Sequence, residues 1–429
     1  MTNTIPHIKT ISRLKHLPVH QFLLDNKLQV YGFFNNDIKA LKIDFLFEAG
    51  KAHQNKAFLA AFCNALIREG KSGQQSNDLE KQLDYYGIFL QQKLEKHWSV
   101  FSFYVPVMYL EKFLPLAADM LFNADFNDES LHFIREKTRQ NLRKNIRRTD
   151  YVAGASLNNL IWGNDHALGF YPTEQKLDNI NLDDIKAFYK NRYKNNCRLI
   201  ISGFFPKNIQ QILNQHFGMI IPDYEQKDIH AFKSAAKKQH LQIPMENKSQ
   251  VSIRWGQMCI SPHHPDYFKF KILNTIFGGY FGSRLMQNIR EDKAYTYGIS
   301  SSIQPSSYGS EFRISTDVGR EYLNDTLKQI EKEADTLRTE KIPETEIKLI
   351  KNYMAGELLS AFDGPFKHAS LYQYLIEMNL DFDYYSRFLE NIKNTTPEDM
   401  LVTAQHYLNL KDLHKVTVGS IREEFPSME

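Results

Sequence analysis

Arg290 and Tyr297 stand seven residues apart in Ile289-Arg290-Glu291-Asp292-Lys293-Ala294-Tyr295-Thr296-Tyr297-Gly298. A guanidinium at a helix end and a phenol at a strand start can converge on one spot, where both donate hydrogen bonds to a carbonyl oxygen. The same spacing equally suits a surface ion pair and a tyrosine packed in a sheet. Just upstream, Gly278-Gly279-Tyr280-Phe281-Gly282-Ser283-Arg284-Leu285 is the densest glycine cluster in the chain, and it leads into the helix that ends at Arg290. Glycines there let the backbone turn tightly or approach a neighbour closely. The cluster matches no phosphate-loop spacing and no Lys-Ser/Thr follows it, which argues against nucleotide binding.

Hydrolysis by the chain alone would need a metal site or an activated nucleophile. Of the 15 histidines none forms H-E-x-x-H or H-x-x-E-H, and His263-His264 stands alone before a proline. A catalytic zinc needs three protein ligands and a base for its water, so no metal is expected in this chain. No G-x-S-x-G elbow occurs either. Cys63, Cys197 and Cys259 form no C-x-x-C and read as small interior hydrophobes. The basic run Lys137 to Arg148 (KTRQNLRKNIRR) reads as a solvated helix face, with steering of an acidic substrate or docking on an acidic partner as the alternative.

These residues sit on elements whose order occurs twice. The first copy runs from a strand at Leu41 to Phe47 through helices at Lys56–Glu69 and Ser76–Tyr86. Strands follow near Ile88–Gln92 and Trp98–Val105, then helices at Leu110–Leu121 and Asp128–Arg147. The second copy has a strand at Gln250–Trp255, helices at Pro265–Ile276 and Ser283–Arg290, and strands at Tyr297–Gln304 and Ser310–Asp317. Helices at Glu321–Arg338 and Pro343–Leu359 complete it. Each copy closes on a capped helix, opened by Asn181 or by Thr396-Pro397, followed by an apolar strand. The duplication predicts an α+β fold of two homologous sandwich halves, each a mixed, largely antiparallel sheet covered by helices. The expected divisions are residues 1–221, a polar linker over 222–238, and residues 239–429.

A chain of 429 residues is too long for one growing core, which fits two domains. The formal charge of +3 leaves no nucleic-acid footprint. No apolar stretch approaches the roughly 20 residues of a membrane span, so no membrane partner is expected and a cytoplasmic location follows by default.

Taken together, the segments from about Leu41 to Ser420 resemble the pitrilysin/insulinase peptidase family, which includes mitochondrial processing peptidase. GGYFGSRLMQNIREDKAYTYGISS is the most specific stretch, similar to that family's glycine-led helix, Arg-Glu, and Tyr seven residues after the Arg. The resemblance implies that Arg290 and Tyr297 grip substrate backbone and stabilise the tetrahedral intermediate. It also places Ala60 and Asn64 where family members carry the two histidines of H-x-x-E-H, and Cys63 at the water-activating glutamate. The third ligand position falls near Asn141 to Arg143, and Glu136 on the same helix cannot replace three missing groups. The expected role is therefore that of a non-zinc subunit. A homologous partner with intact H-x-x-E-H would carry the zinc, and a peptide or unfolded polypeptide would be the substrate. A catalytically inactive scaffold or peptide-binding module is the alternative.

Overall fold

A computed structural model describes residues 14, 17–69, 76–194, 197–220, 238–246, 248–306 and 309–420. The linker read over 222–238 lies, except for Lys238, outside the described residues.

Alternation of apolar and polar residues builds the first sheet from β1 (His20–Leu23), β2 (Gln29–Phe34), β3 (Ala40–Phe47), β4 (Phe89–Leu94), β5 (Ser99–Pro106) and β6 (Cys197–Gly203). Its spatial order is β1-β2-β6-β3-β5-β4, with only the β2–β6 pair parallel. The second sheet contains β7 (His240–Pro244), β8 (Gln250–Cys259), β9 (Ile299–Gln304), β10 (Ser310–Gly319) and β11 (His414–Gly419). Its order is β7-β11-β8-β10-β9, and only β7–β11 is parallel. Laid side by side, β2-β6-β3-β5-β4 and β7-β11-β8-β10-β9 coincide in order and in direction. The duplication legible in the sequence is thus a duplication of sheet topology, and the α+β reading with two helix-covered mixed sheets holds.

Each sheet buries both faces, and the two covers differ in origin. In the first sheet Phe45, Phe47, Phe101 and Phe103 pack under helices of their own half, including Leu59–Glu69 and Leu182–Arg192. The opposite face, with Phe33, Leu46 and Ile200, receives helix Gly364–Met378 from the second half, whose Tyr372 ring lies 5.4 Å from Phe33. The exchange is reciprocal. Helix Thr149–Trp162 of the first half lies across β8 and β11, setting Val152, Leu157 and Ile161 against Val416 and Val418. Gly256 of β8 makes that approach possible, since a Cβ there would meet Leu157 Cδ2 and Ile161 Cδ1 at 3.2 Å.

Both capped closing helices form as their sequences predict. Asn181 accepts from the Asp184 N–H and Thr396 from the Asp399 N–H, each as a reciprocal capping box, over helices Leu182–Arg192 and Pro397–Tyr407.

Candidate functional site

The glycine cluster is used for close approach. Helix Tyr267–Asn274 widens into a π-helical turn, Thr275–Gly279, that lies on β9. A Cβ at Gly278 would sit 2.6 Å from the Ser301 backbone nitrogen, so only glycine lets the turn touch the strand. A second π-helical turn, Met286–Asp292, carries Arg290. Such wide turns favour functional positions because they redirect side chains that a regular helix would stack.

The chain leaves this turn through Ala294, which adopts a left-handed conformation at φ 55° while its N–H donates to the Arg290 carbonyl at 3.1 Å. The turn is then fastened on both sides. Tyr295 stacks on Tyr322 with centroids 4.3 Å apart, and Lys293 pairs with Asp325 at 3.1 Å. The Thr296 hydroxyl accepts from the Gly298 N–H at 3.1 Å and lies 2.8 Å from the Asp317 carbonyl. Between these anchors Tyr297 points outward and is 93% exposed, two residues before β9 begins. Arg290 is half-buried. Its guanidinium lies 4.4 Å from the Phe281 ring centroid and donates to Glu291 at 2.8 Å. No hydrogen bond joins Arg290 to Tyr297. The two share one fastened turn, one held flat on an aromatic face and the other projecting into solvent.

Ala60, Cys63 and Asn64 lie on helix Leu59–Glu69, and their i, i+3, i+4 spacing turns all three inward. Ala60 and Cys63 are fully buried, and burial pushes the Cys63 thiol well up. The Asn64 amide donates to Ser99 and, at 3.4 Å, to Tyr193, while its backbone carbonyl accepts from Gln92 of edge strand β4 at 2.8 Å. In place of ligands the helix presents a methyl, a protonated thiol and an amide already engaged in hydrogen bonds. At the third position Leu142 is buried and Arg143 forms a bidentate pair with Glu174 at 2.7 and 2.8 Å. Glu136 accepts from Arg139 at 3.2 Å. Among the described residues no group of three or more His, Cys, Asp or Glu is placed to hold a metal ion. Three of the six cations in the basic run are matched by acids of this chain: Arg139 meets Asp178, Arg143 meets Glu174, and Arg148 meets Asp150.

Where the halves meet, a cavity of about 610 Å³ is lined by Phe58, Lys96, Asn158, Trp162, Glu311 and Arg313 among others. Sequence reasoning missed it, because Glu311 and Arg313 alternate with Phe312 and Ile314 along β10 and so read as a solvent face. The exchanged helix Thr149–Trp162 covers that face instead. Glu311 is fully buried and accepts from Lys96, from Arg313 at 2.7 Å, and from the Trp162 indole at 3.0 Å. Burial alone would push the Glu311 carboxyl up, but the Arg313 and Lys96 charges and their hydrogen bonds outweigh it and hold the group below its ordinary value.

Residues 179–354, from the closing helix and strand of the first half into the second half, match the family model described as the Peptidase M16 inactive domain. A Bacillus subtilis protein described as the uncharacterized zinc protease YmxG is 21% identical over 358 residues, covering 81% of this chain and 85% of that protein. The chain is thus similar to the pitrilysin/insulinase (M16) peptidase family and to its inactive-type members. A Helicobacter pylori relative described as the non-peptidase homolog YmxG is 23% identical over 187 residues, 42% of each chain. Among solved structures, a peptidase M16 inactive domain from Pseudomonas fluorescens superposes with a TM-score of 0.85 at 21% identity, covering 96% of this chain and all of that one. A Helicobacter pylori protease structure superposes at 0.83 with 15% identity, covering 94% of this chain and all of that one. The fold is that of these solved structures over nearly the whole chain, and the chain is consistent with a non-catalytic peptidase homologue. The family-model match begins after residue 64, so the absence of ligands rests on the residues themselves. No helix among the described residues is long and apolar enough to cross a membrane.

Proposed function

We propose that this chain is the substrate-gripping, non-zinc subunit of a two-chain M16 metallopeptidase, supplying Arg290 and Tyr297 to a zinc site on a homologous partner with intact H-x-x-E-H. The observation that carries the reading is the presentation of Tyr297. A tyrosine left 93% exposed on a turn fastened at Lys293, Tyr295 and Thr296 has no packing role in its own chain. A phenol and a guanidinium held there are both donors, suited to a peptide carbonyl whose oxygen gains negative charge as it is attacked. The exposed edges of β4 and β9 would take an extended peptide as an added strand.

The test is co-expression with an M16 homologue that carries H-x-x-E-H, followed by hydrolysis of an unstructured peptide. The pair should cleave what neither chain cleaves alone, and Arg290→Ala or Tyr297→Phe should each lower the rate about 10²–10³-fold, as for oxyanion donors. Unchanged rates in both variants would overturn the Arg/Tyr role.

A second reading, a scaffold or peptide-binding module without catalysis, is favoured by one contact. Glu291 already holds the Arg290 guanidinium at 2.8 Å, as a structural residue would be held. The name of the Helicobacter pylori relative, a non-peptidase homolog, points the same way. Peptide binding without hydrolysis in every zinc-bearing pairing would select it.

A further inference from the structure

Distinct from the cavity between the halves, helices of the second half and the Thr275–Gly279 turn line an open pocket of about 620 Å³, within the range of small-molecule sites. Its walls are Met354, Leu358, Leu371 and Phe388, and Lys271 of helix Tyr267–Asn274 reaches into it. Long cationic side chains ordinarily carry their heads to water or to a carboxylate. Lys271 meets no carboxylate. Among the described residues its ammonium has no acidic partner, and its one close favourable neighbour is the Phe388 ring, 4.6 Å from the centroid. The Tyr384 hydroxyl in the wall is buried against the hydroxyls of Tyr374 and Tyr267. The remaining charged groups, Glu357 and Lys367, are exposed, and Lys367 is occupied with the Ser360 carbonyl at 2.9 Å.

A cation without a carboxylate partner within largely apolar walls calls for a ligand with one negative charge and an apolar body. A phosphate dianion fits poorly, because one ammonium cannot balance it and the walls are hydrocarbon. A cation is repelled by Lys271. We propose that this pocket binds a small apolar-tailed monocarboxylate, its carboxylate meeting Lys271 and its tail lying against Leu358, Leu371 and Phe388. The site is independent of any pairing with a zinc-bearing subunit.

Calorimetric titration of the purified chain with sodium octanoate, octylamine and octan-1-ol tests the assignment. Octanoate should bind saturably at one site, octan-1-ol at least about tenfold more weakly, and octylamine not at all. Lys271→Met preserves the length of the side chain and should weaken octanoate roughly 10- to 100-fold while leaving octan-1-ol unchanged. The exposed Lys348→Met should alter neither. Burial pushes the Lys271 amine down to about 8, so octanoate affinity of the unmodified protein should fall as pH rises through that value. This arm decides the matter even where Lys271→Met fails to fold. No octanoate binding at millimolar concentration, equal binding of octanoate and octylamine, or octanoate affinity in a folded Lys271→Met protein equal to that of the parent would each overturn the proposal.

Discussion

Replacing Glu311 by Gln is the most direct probe of how the two halves hold together. The carboxylate is fully buried and joins Lys96 of the first half to Arg313 of the second, with the Trp162 indole donating at 3.0 Å. Glutamine keeps the shape and an acceptor for Trp162, so the loss is that of the charge alone. Removing one member of a buried ion pair costs about 3–5 kcal/mol, because the remaining charges stay desolvated. The Lys96 side chain is 25% exposed and can rehydrate, which sets the expectation near the lower end, about 3 kcal/mol. Urea unfolding should show a lower midpoint with an unchanged slope. Lys96→Met placed on the Glu311→Gln background should cost far less than it does alone. The pH dependence has a definite sign. Because the folded protein holds Glu311 below its ordinary value, the stabilisation is complete above the unfolded value and is lost as pH falls through the folded one. The gap between parent and variant must therefore close on acidification. A difference under about 1 kcal/mol at neutral pH, or a gap that widens in acid, would refute the coupling of the halves through this carboxylate.

Two further outcomes follow from local geometry. Burial, with Lys96 and His166 nearby, pushes His97 down to about 4, and burial with Arg192 and His97 pushes His53 down to about 3. The unfolded chain then takes up protons that the folded one refuses, so stability should fall as pH drops from about 6.5 toward 4, by roughly 3 kcal/mol per histidine. His97→Gln should remove about half of that slope, and a parent-like slope in the variant would refute the assignment. Ala294 sits at φ 55°, where an L side chain costs about 1 kcal/mol, so Ala294→Gly should raise denaturation stability by about that amount. A loss of stability would show that the Ala294 methyl contributes packing that outweighs its strain.

The sequence exposed whatever is local and periodic. Asn181 and Thr396 cap their helices as read, and the strands around Leu41, Trp98, Gln250 and Ser310 form within a few residues of their expected limits. Helices Thr149–Trp162 and Gly364–Met378 escaped notice for a physical reason. Each is buried on more than one side, so small and polar residues such as Gly154, Asn158, Ser370 and Gln373 interrupt the single apolar stripe that marks a surface helix. Their burial depends on a sheet far away in the chain. Tyr297 was singled out by the resemblance of its stretch to a family signature more than by its spacing from Arg290, and its exposure was not legible, since that follows from how Tyr295 and Thr296 fasten their neighbours. Glu311 was invisible because alternation along a strand separates two faces without telling which of them meets water. Lys271 was missed similarly, as one of two lysines in a short, largely buried helix.

The reciprocal loan of helices makes the sequence division and the spatial division different things. Severing the chain between Ile220 and Lys238 would yield two pieces, each holding a helix whose apolar side belongs to the other. Neither piece could complete its sheet alone, because Phe33 and Ile200 in one, and Val416 and Val418 in the other, would face water. The pieces would remain clasped, and they would melt together. The connection between the halves acts chiefly to raise the effective concentration of two partners that already interlock. A half produced by itself has one remedy for its bare sheet, which is to take the missing helix from another molecule.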